Sequence, residues 1–265
     1  MIHSLRAASF PLLLFASPAT AVQSFDCVMD PSLTINLGAA VPGLLQEVLV
    51  DRGDEVRAGD IVARLSSSVE RETERLIEMQ AENESALEAQ RARVGFLIQR
   101  LTRTQALADR GIATVDLLQE IEAEVEVGRS LLRQAEMDQA IAQQDLVRTR
   151  AAIGLRDIRS PIEGLVVARH LAPGEYLQSE AKIVTIVALD PLYVEAFMPV
   201  SMFGQVVIGD TATVRPSAPF ELAYSARVTV VDRVFDAASG TFGVRLELEN
   251  PGLTLPAGHR CVVEF

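Results

Sequence analysis

The middle of the chain alternates apolar and polar positions at spacings of four and three, the pattern of a coiled-coil seam. The stretch from Ser67 to about Asp109 has no proline and a single glycine, Gly95, so we expect one unbroken helix there. The seam of this first arm comprises Leu76, Gln80, Asn83, Leu87, Gln90, Val94, Leu97, Leu101, Thr104 and Ala108. The return arm repeats the spacing through Leu118, Ile121, Val125, Gly128, Leu132, Ala135, Gln139, Ala142, Leu146, Thr149 and Ile153. Together the arms predict an antiparallel helical hairpin.

The ends of this hairpin carry start and stop signals. Ser67 and Glu70 have the spacing of a capping box at the first helix start. Gly111 is placed to end that helix and Gly154 to end the second. Arms of about 40 residues would be roughly 60 Å long. Because so long a rod exceeds what a small domain needs for packing, we expect it to reach a distant partner rather than to act only as a spacer.

Two β-units with matched spacing flank the hairpin, over residues 42–56 and 163–177. In each, a glycine is followed ten residues later by a second glycine, Gly43 by Gly53 and Gly164 by Gly174. An acidic residue follows at once and an apolar residue two places further on. Alternating apolar residues around glycine turns are hairpin signals. The repeat therefore predicts two halves of one small sandwich, interrupted by the helices.

Composition and charge narrow the function classes. The chain has 265 residues, a net charge of −12, no tryptophan and three tyrosines. An acidic chain with few aromatic residues is unsuited to binding phosphates or stacking bases, so we expect no nucleic-acid partner. His170 and His259 stand alone, without metal-ligand spacing, and no nucleophile elbow, phosphate loop or zinc-protease motif is present. We therefore predict no catalytic residue, no metal site and no cofactor.

The first 21 residues have the features of a secretory signal peptide. Arg6 provides the positive charge, a short apolar stretch follows over residues 7–16, and Ala19 and Ala21 form a small-residue cleavage site. About ten apolar residues are too few to cross a bilayer, which needs roughly 20. A short uncleaved anchor is the alternative. With cleavage, the mature protein is expected to be an exported, soluble protein.

Four stretches resemble segments of the HlyD/AcrA-like periplasmic adaptors, also called membrane-fusion proteins. Residues 155–164 look like the re-entry into the second β-unit and residues 190–196 like the opening of the barrel. Residues 236–245 and 255–258 look like later barrel hairpins. The likeness covers nearly the whole chain after residue 21. It implies a mixed α and β protein: a split lipoyl-like, or barrel-sandwich hybrid, domain with an inserted antiparallel coiled-coil hairpin, followed by a β-barrel domain.

The resemblance also implies domain boundaries. After a signal peptide over 1–21, a strand segment over 22–40 would associate with the barrel. The lipoyl-like halves would cover 41–66 and 155–189, the helical hairpin 67–154 and the barrel 190–265. We expect a membrane-proximal domain, usual in adaptors of resistance-nodulation-division pumps, to be reduced or absent, so the transporter class stays open.

By the same resemblance, the hairpin tip would dock on an outer-membrane channel of the TolC type. In such adaptors an arginine is followed four residues later by a leucine and seven after that by a serine. Arg103, Leu107 and Thr114 have these spacings, with threonine in place of serine. A guanidinium, an apolar side chain and a hydroxyl suit a protein contact. Alternatively, Thr114 caps the second helix, Arg103 is solvated and Leu107 packs locally.

The implied function is that of a non-catalytic adaptor bridging an inner-membrane efflux transporter and an outer-membrane channel. Several copies would form an oligomeric tube in the periplasm, peripheral to the inner membrane. An adaptor for type I protein secretion is the alternative. A biotin or lipoate carrier is disfavoured because the only lysine, Lys182, does not lie at the turn between the two halves, where a carrier needs it.

The two cysteines, Cys27 and Cys261, lie near opposite ends of the chain. An even pair in an oxidising compartment suggests a disulfide, whereas two unrelated buried thiols are the alternative. The family's barrel favours the disulfide, because its last strand would bring Cys261 beside the N-terminal segment that holds Cys27.

Overall fold

The computed structural model describes residues 23–178, 180–220 and 222–265, so the predicted signal peptide over 1–21 lies outside the described residues. Two compact units are present, one over Thr34–Val187 and one combining residues 23–33 with Ala188–Phe265. The helices are α1 (Ser68–Glu82), α2 (Ser85–Ala108) and α3 (Val115–Gly154). The strands are β1 (Ser24–Leu37), β2 (Gly43–Val48), β3 (Glu55–Val56), β4 (Ile61–Leu65), β5 (Asp157–Arg159), β6 (Gly164–Arg169), β7 (Tyr176–Leu177), β8 (Val184–Pro199), β9 (Thr211–Pro216), β10 (Tyr224–Val231), β11 (Thr241–Leu248) and β12 (His259–Glu264).

The helical hairpin of the first unit packs α1 and α2 against α3. Helix α3 is 40 residues long, or about 60 Å, and every predicted seam position on it is buried or half-buried. On α2 the predicted seam from Leu87 to Ala108 is likewise turned inward. The antiparallel coiled coil is therefore confirmed over α2 and the whole of α3.

The prediction of one unbroken first helix is wrong, because the arm is interrupted at Asn83 and Glu84. The Asn83 side chain accepts a hydrogen bond from the Ser85 backbone N–H at 3.1 Å, which competes with helix continuation. Across the seam, the Gln139 side-chain amide donates to the Ala81 carbonyl at the interrupted end.

The break also changes the phase of the seam. The predicted seam positions Leu76 and Gln80 on α1, and Asn83 in the break, are exposed, while Ala81 is buried and Ile77 half-buried. Buried positions on the two sides of the break, Ala81 and Leu87, are six residues apart instead of the seven of a heptad. The three seam assignments before Leu87 are therefore corrected by the structure.

The predicted capping box at Ser67 is also wrong. Ser67 is the N-cap residue of α1, but its side chain accepts no hydrogen bond from the helix backbone. Its hydroxyl instead accepts from Nε of Arg71 at 3.0 Å, and Glu70 pairs with Arg156 at the end of the return arm. Each of the two residues of the predicted box is therefore bound to an arginine side chain instead of capping the helix backbone.

Within the compact unit Thr34–Val187, the two β-units that flank the hairpin exchange strands. Strand β3 of the first half pairs with β6 of the second, and β7 of the second half pairs with β2 of the first. The equivalent turn glycines behave alike, because the Gly53 N–H donates to the Val166 carbonyl and the Gly174 N–H to the Leu45 carbonyl. Both have positive φ, +98° and +91°, which favours glycine. The split sandwich is thus confirmed, with each half completing the other.

A single apolar core joins these halves. It draws on β2, β3 and β4 from the first half and on β5 to β8 from the second. The core residues are Leu45, Val56, Val62, Ala63, Leu65, Ile158, Val166, Leu177, Ile183, Val184 and Ile186. Neither half could bury its apolar face alone, because both contribute to the same core. The two ends of the hairpin therefore connect to a single domain.

The second unit is a β-barrel. Its strands follow the order β1-β12-β9-β10-β11-β8, and an additional pairing of β1 with β8 closes the sheet. Burial alternates with period two along β8 and β11, where Leu192, Val194, Ala196 and Met198 face inward opposite Phe242 to Leu248. The expected barrel after the lipoyl-like domain is therefore present.

Cys27 and Cys261 are directly opposed in the β1–β12 pairing and are joined by a disulfide, with a Cα–Cα distance of 4.9 Å. Both side chains are buried. The bond ties the N-terminal strand to the last strand of the barrel across a separation of 234 residues.

Removing this bond is expected to destabilise the barrel. For so long a loop the chain-entropy model gives about 5 kcal/mol, and measured values are often nearer 3 kcal/mol. A Cys27→Ser/Cys261→Ser variant should melt roughly 6–12 °C lower than the parent by circular dichroism.

Reductant should lower the melting temperature of the parent and leave the double variant unchanged. Protein exported to the periplasm should show no free thiol when denatured without reductant. Two titratable thiols in that experiment would contradict the disulfide.

No helix in the described part of the chain combines the length and the apolar character that crossing a membrane requires.

Candidate docking site at the hairpin tip

The tip of the hairpin is a short turn held by the last turn of α2. The Leu107 carbonyl accepts from the Ile112 and Ala113 N–H groups at 2.9 and 3.4 Å, and the Gly111 N–H donates to Ala108 at 2.8 Å. Gly111 has φ +72°, so a side chain there would be strained. The predicted helix stop is therefore confirmed, and the turn is fixed by its own backbone.

Thr114 begins the return helix. It is the N-cap of α3, and its hydroxyl accepts from the Leu117 N–H at 3.3 Å, with Asp116 in the first turn. The capping alternative is thus observed. Because a hydroxyl that accepts one hydrogen bond still has a proton to donate, the exposed Thr114 side chain retains a donor for a partner.

Arg103 and Leu107 are one helical turn apart on α2. Arg103 is exposed and makes no ion pair with any residue in the described part of the chain. Leu107 is 41% exposed although it is a large apolar side chain. A free guanidinium beside an exposed leucine at the end of a rod is an arrangement suited to contact with another protein.

The tip exposes three further apolar residues that the sequence reasoning missed. Ile112 is 69% exposed and Val115 68%, and Leu117 is also exposed. All three fall outside the heptad seam, and Ile112 and Val115 lie directly beside the turn. An apolar residue outside the seam and next to a turn was the sequence signal that could have identified them. With Leu107 they give the tip an apolar surface in addition to its arginine and hydroxyl.

Ion pairs between the arms hold the rod that carries the tip. Arg100 on α2 pairs with Glu124 on α3 at 2.7 Å, and at the opposite end Arg150 pairs with Glu74 and Glu78. The hydrogen bond that Arg150 donates to the Glu74 carboxylate raises the pKa of Arg150 further above its ordinary value. These contacts join the two arms of the rod near both of its ends.

Within the described ranges, no group of three or more histidine, cysteine, aspartate or glutamate residues is arranged to hold a metal ion. His170 contacts the Thr185 hydroxyl and His259 the Ser217 carbonyl. Lys182 is exposed in the second half of the sandwich, and the helical hairpin occupies the place between the halves where a carrier would need its lysine.

Curated relatives share low identity over most of this chain. The cobalt-zinc-cadmium resistance protein CzcB of Cupriavidus metallidurans is 23% identical over 85% of this chain and 41% of its own length. The nodulation protein NolF of Rhizobium meliloti is 23% identical over 84% of this chain and 57% of its own length. The chain therefore spans about half the length of these relatives.

Solved structures show the same fold. MacA of Actinobacillus actinomycetemcomitans matches with a TM-score of 0.76 at 18% identity, over 92% of this chain and 78% of that one. The membrane fusion protein Spr0693 of Streptococcus pneumoniae matches with a TM-score of 0.57 at 15% identity, over 91% and 97% of the two chains.

Two known domain families match adjacent parts of the chain, which meet at the start of the barrel. A CusB-like β-barrel domain matches residues 191–265. A CzcB-like barrel-sandwich hybrid domain matches residues 34–188, more than half of the chain. With the hairpin inserted between the two halves of its sandwich, this chain belongs to the CzcB-like barrel-sandwich hybrid family.

Proposed function

We propose that this chain is a periplasmic adaptor of a tripartite efflux assembly, bridging an inner-membrane transporter and a TolC-type outer-membrane channel. Several copies would form a tube, with the hairpin tips toward the channel. The protein would be exported by its signal peptide, lie peripheral to the inner membrane and perform no chemistry of its own.

The observation that carries this proposal is the exposed tip at the end of the rod. A helix of about 60 Å adjoins an ordered turn with an apolar surface, a hydroxyl and an arginine that forms no ion pair among the described residues. The rod's other end enters the sandwich core through both of its halves. Membership of the CzcB-like family supports the same role.

The names of two relatives suggest a substrate class. CzcB of Cupriavidus metallidurans is a cobalt-zinc-cadmium resistance protein, and CzcB of an Alcaligenes strain is a cation efflux system protein. We therefore propose divalent transition-metal cations as the first substrates to test. In this proposal the adaptor carries no resident metal, and the cation would be cargo of the assembly.

A deletion strain and a native pull-down test the proposal together. Deleting the gene should lower tolerance to at least one exported compound in a panel of zinc, cobalt and cadmium salts and small drugs, and the cloned gene should restore it. Pull-down of the native protein should recover one inner-membrane transporter and one outer-membrane channel.

Unchanged tolerance across the panel, with no such partners recovered, would contradict the proposal. Loss of one secreted polypeptide, with tolerance intact, would assign the chain to type I protein secretion instead. N-terminal sequencing of the periplasmic protein should begin at Val22, as cleavage after Ala21 requires.

A further inference from the structure

One end of the β-barrel carries a cluster of exposed apolar side chains. It is formed by the β8–β9 connection, residues 200–210, and the β10–β11 connection, residues 232–240. The two connections are adjacent, because the Val200 N–H donates to the Gly240 carbonyl at 3.0 Å. The apolar end of the barrel comprises Val200, Phe203, Val207, Ile208, Val234 and Phe235, all of them exposed. Ile208 is 68% exposed and Val234 85%, and such an apolar surface indicates contact with something other than water.

Aromatic packing holds the apolar end in place. The Phe203 ring lies edge-on to Phe235, with 4.9 Å between the ring centroids, and edge-on to Phe242 at 5.5 Å. Because Phe242 is buried in the barrel, Phe203 joins the two connections to each other and to the core. The exposed residues therefore belong to an ordered surface.

Ile208 lies in a turn that this chain builds three times. In Val207–Asp210, the Asp210 N–H donates to the Val207 carbonyl at 3.2 Å, and the Val207 N–H donates to Asp210 Oδ2 at 2.9 Å. Residues 51–54 of the sandwich form the same two hydrogen bonds at 3.1 and 2.7 Å, and residues 57–60 at 3.1 and 2.8 Å. The third residue of each turn is a glycine with φ between +93° and +99°.

The turn itself therefore does not require apolar residues. Its first two positions are Asp-Arg at 51–52 and Arg-Ala at 57–58 in the sandwich, but Val207 and Ile208 in the barrel. Turns ordinarily carry polar residues, because they lie in water. Since the same backbone forms with charged residues, we infer that the apolar pair in the barrel serves a contact and not the folding of the turn.

The described chain begins at this same end of the barrel. Gln23 lines a cleft together with Met202 of the β8–β9 connection and Phe265 after β12. The apolar stretch of the predicted signal peptide ends at residue 16, and the six residues 17–22 span at most roughly 20 Å. While that stretch is in the membrane during export, Gln23 would lie within this distance of the lipid. Export would therefore deliver the apolar end to the membrane surface.

Charge and shape favour a lipid surface over other occupants. The two connections contain three aspartates and one arginine, a net charge of −2, so a second copy of the same end would be repelled. The Asp210 and Asp236 carboxylates accept hydrogen bonds from N–H groups of their own turns. Arg233, next to Val234, is exposed and forms no ion pair in the described part of the chain, so it can bind a lipid phosphate. Apolar side chains on turns, rather than in a groove, suit the disordered interface of a bilayer.

We propose that the apolar end of the barrel inserts into the headgroup region of the inner membrane, with Ile208 and Val234 at the acyl boundary and Arg233 at the phosphates. This rests on the membrane-peripheral location in the proposed function, and it names the surface that holds the chain there once the signal peptide is cleaved. The contact is with lipid and requires no transporter. Because the local charge is negative, binding depends on apolar burial and resists salt.

Sedimentation with protein-free vesicles tests the lipid contact. The mature chain, purified from the periplasm, should sediment with vesicles of phosphatidylethanolamine and phosphatidylcholine in both low and high salt. Ile208→Asp/Val234→Asp should lower the bound fraction by roughly tenfold or more, because two carboxylates would have to enter the interface. Leu222 is 69% exposed in the β9–β10 connection, at the opposite end of the barrel. Leu222→Asp is therefore the matched control and should bind as the parent does.

Tryptophan fluorescence tests which residues enter the lipid. The chain has no tryptophan, so Val234→Trp introduces a single reporter. With vesicles, its emission should shift to shorter wavelength and be quenched by lipids brominated in their acyl chains. The emission of Leu222→Trp should stay unchanged.

A parent that fails to sediment, a double variant that binds like the parent, or a Val234→Trp emission unaffected by lipid would each overturn the proposed surface. Sedimentation only with membranes that contain a transporter would also overturn it and would show that this end binds protein. Vesicle binding with unchanged tolerance of the deletion strain would refute the proposed function and leave the lipid contact standing. Reduced tolerance without vesicle binding would refute the lipid contact alone.

Discussion

Leu107→Asp is expected to prevent the chain from restoring tolerance to the deletion strain, without unfolding it. Leu107 is 41% exposed at the end of α2, so a charged side chain there remains in water in the free protein and should alter stability by less than about 0.5 kcal/mol. In a docked complex the same carboxylate would be buried in an apolar contact. That should weaken binding by roughly 2 kcal/mol or more, over tenfold in affinity.

Arg103→Asp should act in the same way, because it replaces an unpaired guanidinium with a like charge for any carboxylate on the partner. The measurement is tolerance of the deletion strain carrying each variant, with protein level and melting temperature recorded alongside. Thr102→Asp adds the same charge on an exposed position beside Arg103 and serves as the matched control. Normal tolerance with both tip variants would mean that Arg103 is simply solvated and that Leu107 only packs locally.

Two substitutions at Thr114 distinguish a helix-capping role of this residue from a docking role. Thr114→Asn preserves an N-cap side chain and removes the hydroxyl, whereas Thr114→Ala removes both at about 1 kcal/mol of stability. If the hydroxyl contacts the channel, both variants should lose tolerance although only the second melts earlier. Loss confined to Thr114→Ala would assign the residue to helix capping alone.

The split sandwich and the helical hairpin were predictable because their signals repeat along the chain, whereas the barrel was expected from the family resemblance alone. Matched glycine spacings in the two β-units and the continuous seam of α3 each depend on many residues, so no single local exception hides them. The break at Asn83 was not predictable from the seam. One asparagine whose side chain accepts a hydrogen bond from a nearby backbone N–H is enough to end a helix. The heptad spacing does not show whether that hydrogen bond forms.

The tip was only partly predictable for a related reason. Arg103, Leu107 and Thr114 were identified by spacing, which says nothing about exposure. Ile112 and Val115 could have been buried under a neighbouring loop, and only the folded turn shows that they face solvent.

Gly164→Ala is expected to be among the most destabilising single substitutions in the sandwich. Gly164 begins β6 opposite Val56, and a methyl group there would collide with the backbone carbonyl of Val187 on β8. A backbone atom in a paired strand cannot rotate away as a side chain can. We therefore expect a loss of roughly 3 kcal/mol or more, a lowering of the melting temperature by about 6–12 °C.

The repeat itself provides the control for this substitution. Gly43 begins β2, the strand equivalent to β6 in the first half, but a methyl group there would meet only the ends of side chains, Arg156 at 3.2 Å and Leu65 at 3.4 Å. These side chains can shift by a few tenths of an ångström, so Gly43→Ala should lose less than about 1.5 kcal/mol. Both variants are compared by thermal and urea denaturation at equal concentration. Equal stability of the two variants would mean that β6 and β8 are not held together as closely as the sandwich requires.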